Sequence, residues 1–145
     1  MPIKTFRGLM ADSTQDTIVL HTNDGSIGYR IVKFKALANH PRGESPECVL
    51  KIYKVSQSSI EPDTIDFSDQ TLLGALFYEG NANDYYTNQT DVIFDREIFN
   101  QDIYITCKVS EGTMNYYLEL EQIKLDLSES SVATLKDIRN ATDLT

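Results

Sequence analysis

Tryptophan is absent from this chain, and histidine and cysteine occur only twice each among its 145 residues. Each scarcity removes a class of function. Without an indole face, the broadest stacking platform for a sugar ring is missing. His21 and His40 are too few for a His-rich metal site, and no Gly-x-Ser-x-Gly elbow supplies a nucleophile for either to activate. Cys48 and Cys107 make no disulfide framework and show no Cys-x-x-Cys spacing for zinc. Each lies in an apolar strand pattern and reads as a small buried hydrophobe, with one inter-strand bridge as the alternative. Gly25 and Gly28 bracket a turn, but no helix follows to complete a phosphate cradle. No run approaches the roughly 20 apolar residues that span a bilayer. The first seven residues lack the apolar centre of a signal peptide, so the expectation is a chain folded in a cytoplasm. On that expectation the glycosylation-like triplets at Asn88 and Asn140 are chance matches.

Basic residues are also scarce, 13 against 22 acidic ones, for a net charge of −9. That average field repels phosphate backbones and anionic membranes, so neither nucleic acid nor membrane is an expected partner. Lys33, Lys35, Lys51 and Lys54 fall on two neighbouring candidate strands and offer one chance of a shared basic face. The plainer reading is solvated lysines that discourage edge pairing.

What the chain does have is β-forming material. Hydrophobic residues make up 41%, with eight tyrosines and six phenylalanines, enough for one core. The pattern predicts strands over 4–10, 17–22, 27–37, 48–55, 72–79, 91–95, 102–109 and 115–125. Asp24-Gly25 signals a tight hairpin turn after the second strand. In the last strand the apolar side passes from Tyr116, Leu118 and Leu120 to Ile123 and Leu125, which predicts a bulge near Glu121-Gln122. Polar connections over 38–47, 56–70 and 80–90 read as loops. Val132, Leu135 and Ile138 are spaced as on a helix. The resulting expectation is an all-β domain, an antiparallel β-sandwich or jelly roll of about eight strands over 1–127, followed by a short C-terminal helix and tail over 128–145.

Chemistry is thin. Asp63, Asp66 and Asp69 recur every third residue, which invites Ca²⁺, but the EF-hand spacing and glycine are missing and turn chemistry accounts for them. Glu119 and Glu121 share a strand face, where solvent exposure is a simpler reading than a glycosidase pair. The expectation is no catalytic residue, no metal and no cofactor. Tyr85-Tyr86, with Tyr78 nearby, form a candidate aromatic platform, and His40 and Arg42 add polar contact groups in the Pro-rich loop.

Four segments carry a resemblance: Asn23–Phe34, Val49–Ser58, Ile98–Tyr104 and Thr134–Arg139. Together they resemble small structural proteins of the virions of marine tailed bacteriophages. The resemblance implies a virion component, a capsid decoration protein or a head or tail adaptor, assembled in the host cytoplasm. It implies other virion proteins as partners, the major capsid protein or neighbouring copies of the chain in a homo-oligomer. Tyr85, Tyr86, His40 and Arg42 are the candidate partner-binding residues. A carbohydrate-binding module for host recognition, using Tyr85, Tyr86 and Tyr117, is the alternative.

Overall fold

The computed structural model describes residues 2–60, 64–126 and 133–134. They form eight strands: β1 (Ile3–Met10), β2 (Thr14–Ile18), β3 (Ile27–Ala38), β4 (Glu47–Tyr53), β5 (Leu72–Asn81), β6 (Tyr86–Ile93), β7 (Ile103–Val109) and β8 (Met114–Lys124). A three-stranded sheet has the order β1-β8-β3 and a five-stranded sheet the order β2-β7-β4-β5-β6. Every strand pairing is antiparallel. The expected all-β architecture of eight strands is therefore present, in a sandwich-like arrangement. The helix expected within 128–139 lies outside the described residues, except that Ala133 is buried and the Thr134 hydroxyl accepts a hydrogen bond from Asn100.

Alternation builds the core. On β7, Ile103, Ile105 and Cys107 are fully buried while Tyr104 and Lys108 are half-buried, because successive side chains point to opposite faces. Phe34, Met114, Leu118 and Leu120 from one sheet join Leu50, Ile52, Leu76, Ile103 and Ile105 from the other in a single cluster. β4 is buried on both faces. The Lys51 ammonium on its outer side donates to the Thr64 carbonyl at 2.7 Å, so the segment at Thr64 covers that face.

Several expectations shift. The second strand begins three residues before Thr17, because Ser13 N–H donates to the Cys107 carbonyl and Asp12 accepts from Val109 N–H. Gly25 takes the positive φ expected of it, 67°, but its connection passes between sheets and closes no hairpin. The expected loop over 80–90 contracts to a four-residue turn, because the polar run after Tyr85 pairs with β5 as an edge strand. The bulge falls on β3 between Ile31 and Lys33, while β8 keeps unbroken register against β1 from Met114 to Glu121. The extra residue, Val32, moves the inward face of β3 from Tyr29 and Ile31 to Phe34 and Ala38.

The four lysines share no face, since β3 and β4 belong to different sheets. Lys33 and Lys35 pair with Glu119 and Asp91, whereas Lys51 and Lys54 are buried rather than solvated. Cys48 and Cys107 are free, with Sγ atoms 3.9 Å apart. That is nearly twice the S–S bond length of about 2.05 Å. Hydrogen bonding to Cys107 and burial push the Cys48 thiol up, which keeps it un-ionised and unreactive.

The two sheets meet differently at their two sides. At the β3/β6 side, Ala36 N–H donates to Gln89 Oε1 at 2.8 Å and Lys35 pairs with Asp91 at 2.9 Å. At the β1/β2 side the Tyr116 ring covers Gly8, where an added Cβ would sit 2.7 Å from the ring. Burial, then the Asp16 carboxylate, push the Tyr116 hydroxyl up to about 12. Its stabilising contribution is complete below about pH 10 and is lost as pH rises through 12.

Candidate functional site: a braced loop surface

Four short connections share one end of the molecule: 11–13, 39–46, 82–85 and 110–113. Residues 39–46 tie the 82–85 and 110–113 connections together. Ser45 Oγ accepts from Ala82 N–H at 3.0 Å, and the Pro46 carbonyl accepts from Gly80 N–H at 3.0 Å. Ser45 N–H donates to the Glu111 carboxylate, Glu47 N–H to Ser110 Oγ at 2.9 Å, and Asn39 N–H to the Thr113 carbonyl at 3.0 Å. Gly112 has φ 70°, a conformation that favours glycine, and lies against the Glu44 carboxylate. These bonds anchor several main-chain groups of the loops and make them a braced display.

On this display, the His40 carbonyl accepts from Gly43 and Glu44 N–H, closing a single turn that leaves the His40 and Arg42 side chains exposed. Asn81 Oδ1 accepts from the N–H groups of Asn83 and Asp84, and the β5–β6 turn ends at Tyr85. Tyr85 has φ 54° and is 76% exposed. A bulky residue in that left-handed region is uncommon, and strained positions cluster at contact sites. Tyr86 opens β6, exposed, with its hydroxyl 3.4 Å from Glu79. The fold thus brings both candidate pairs to one end and bridges their loops through Ser45. Tyr78 does not join them: it is buried in the core, and its hydroxyl has no hydrogen-bond partner among the described residues. Tyr117 is on the outer face of the other sheet, donating to Glu119 at 2.8 Å.

The acidic candidates are engaged elsewhere. Asp66 Oδ1 accepts from Ser68 N–H and Oγ, and Asp69 Oδ1 from Thr71 N–H and Oγ1, both as turn caps. Asp63 lies outside the described residues. Glu121 takes Arg30 Nε at 2.9 Å, and Glu119 lies 3.9 Å from Lys33, so the pair belongs to the salt-bridged outer face of the three-stranded sheet. No group of three His, Cys, Asp or Glu side chains placed to hold a metal occurs among the described residues. The chain matches no protein-family model, and no curated protein matches it.

His21 Nδ1 is 2.7 Å from Asp102 Oδ1, an exposed imidazole–carboxylate pair with no nucleophile among its described bonding partners. Asp102 also accepts the N–H groups of Leu20 and His21, fastening the β2–β3 connection to the start of β7. Burial pushes the Asp102 carboxyl up, but the hydrogen bonds from His21 and Leu20 outweigh it and hold the group below its ordinary value. A depressed carboxyl stabilises the fold above its unfolded pKa of about 3.9 and loses that contribution as pH falls. Asp102→Asn is therefore expected to lower stability to urea at pH 7, with the gap from wild type closing at acidic pH.

One feature escaped the sequence pattern. At the opposite end, a cleft of about 360 Å³ lies between the segments around Phe67 and Phe94, whose rings meet edge-to-face at 5.4 Å. The only hint was an aromatic residue in a polar run.

Proposed function

We propose that the chain is a non-enzymatic structural protein of a tailed-phage particle, a decoration or adaptor domain that docks on the capsid or tail lattice. Its partners are the major capsid protein or neighbouring copies, met in a particle assembled in the host cytoplasm. The contact surface is the braced loop end carrying His40, Arg42, Tyr85 and Tyr86. The observation that carries this reading is the 76% exposed Tyr85, held in a strained turn beside a loop stitched down by Ser45. Tyr and Arg on a rigid, pre-ordered surface are the residues that dominate protein contacts.

The strand order adds support. β1-β8-β3 facing β2-β7-β4-β5 is the order of a jelly roll, with β6 hydrogen-bonded to β5 yet touching β3 through Gln89 and Asp91. Jelly rolls serve as capsid domains but also as lectins and cupins, so the surface must decide the function.

Mass spectrometry of purified particles tests the reading: the chain is expected at a fixed ratio to the major capsid protein. Its absence from particles ends the proposal. Tyr85→Ala with Arg42→Glu is expected to lower incorporation at least tenfold, about 1.4 kcal/mol of contact energy. Tyr85→Gly separates docking from folding. Glycine accepts the positive φ, so stability should hold or rise by about 0.5–1 kcal/mol while incorporation falls. The exposed Tyr85-Tyr86 pair equally suits a sugar, and a glycan array that binds wild type and not Tyr85→Ala would replace the lattice reading with a carbohydrate-binding one.

A further inference from the structure

β1 is the outer strand of its sheet, and no strand among the described residues pairs with its outer edge. Pro2 carbonyl bonds Gln122 N–H, and the register continues Lys4 to Leu120, Phe6 to Leu118 and Gly8 to Tyr116. Even-numbered residues therefore aim their main-chain groups at β8, and Ile3, Thr5, Arg7 and Leu9 aim theirs outward. No main-chain group of the described residues bonds that outer edge. By contrast, the outer edge of β3 meets β6 through Ala36 and Gln89. The side chains of Ile3 and Leu9 are 48% and 53% exposed, on the sheet's outer face. Over the adjoining β1/β8 pair lies a hollow of about 520 Å³ lined by Arg7, Gly8, Leu9, Asn115, Tyr116 and Tyr117.

We propose that β1 pairs with β1 of a second copy of this chain, antiparallel, in the register that sets Phe6 against Phe6. Strand parity allows only registers that match outward-aimed residues with each other. In the proposed one, Ile3 meets Leu9, Thr5 meets Arg7 and Lys4 meets Gly8. Exposed apolar side chains cover one another and no like charges face. Shifting by one step sets Arg7 against Arg7. Shifting the other way sets Ile3 against Arg7 and shortens the paired run. A two-fold axis at Phe6 closes the contact as a dimer with a continuous six-stranded sheet, β3-β8-β1 joined to its copy. The self-contact adds to the lattice reading without resting on it: dimerisation is scored on free protein, incorporation on particles.

An edge pairing this short covers less than a standard interface of about 1,600 Å², so the free dimer should be weak, with Kd between about 10 µM and 1 mM. Sedimentation equilibrium on the full chain across that range is expected to show monomer and dimer. Thr5→Pro removes an outward N–H without touching the β8 ladder, and should weaken association at least tenfold, about 1.4 kcal/mol, with little change in Tm. Thr5→Lys sets Lys against Arg7 and should also weaken it. Adding Arg7→Glu to Thr5→Lys should restore it, a rescue particular to this register. A wild type that stays monomeric throughout, or a dimer indifferent to Thr5→Pro, overturns the proposal. If Thr5→Pro does not fold, the Thr5→Lys and Arg7→Glu pair decides alone, and failure of the rescue overturns it.

Discussion

Ile105→Asp is expected to leave no folded domain at neutral pH. Ile105 is fully buried at the middle of β7, with Asp16 of β2 and Ile52 of β4 as its strand neighbours. Its side chain enters the apolar cluster formed by both sheets, which contains no cationic residue among the described ones. An unpaired buried charge costs several kcal/mol or more, comparable with the whole stability of about 5–15 kcal/mol of a small domain. Thr17→Asp, an exposed position on the neighbouring β2, should change stability by no more than about 0.5 kcal/mol. Thermal unfolding followed by circular dichroism separates the two. A cooperative transition retained in Ile105→Asp would mean that β7 presents its other face to the core.

Gly25→Val should be the most damaging change outside the core. Gly25 has φ 67°, and a Cβ there would lie 2.8 Å from Asn100 Nδ2 and 3.3 Å from Thr134 Oγ1. Asn100 is fully buried and donates to the Gly25 carbonyl at 3.2 Å and to Thr134 at 2.8 Å. Valine thus adds backbone strain and dislodges a buried amide, together about 2–4 kcal/mol. Two comparisons sharpen the measurement. Gly43→Ala, with its nearest contact at 3.6 Å, should be within about 0.5 kcal/mol of wild type. In an Asn100→Ala background, Gly25→Val should cost visibly less, because the two residues share one interaction.

The contrast between these positions explains what could be read from the sequence. β7 was legible because one face is core and the other is not, so Ile103, Ile105 and Cys107 alternate with polar or amphipathic neighbours. β6 was not, because an edge strand with few buried side chains carries Thr87, Asn88, Gln89 and Thr90 and looks like a loop. Its pairing is set by the partner strand and by the Asn81 turn. The bulge expected near Glu121-Gln122 of β8 is not found there: the register shift lies between Ile31 and Lys33 of β3, opposite Leu120 and Glu119, and the extra residue is Val32. Lys51 and Lys54 look solvated in the sequence because charge normally marks surface, whereas Thr64 of the β4–β5 connection accepts from Lys51 and Glu97 of the β6–β7 connection accepts from Lys54. At the loop end, Tyr85, Tyr86, His40 and Arg42 were visible as residue types in polar segments. Their common location was not, since it depends on Ser45 and Glu111 bridging loops distant in sequence.

A reconstruction of the assembled particle at side-chain resolution tests the docking account most directly. The result expected is this eight-stranded domain seated with residues 39–46 and 82–86 against a neighbouring subunit, Tyr85 covered by it. A particle in which that end of the domain faces open solvent, or in which the domain is absent, would contradict it.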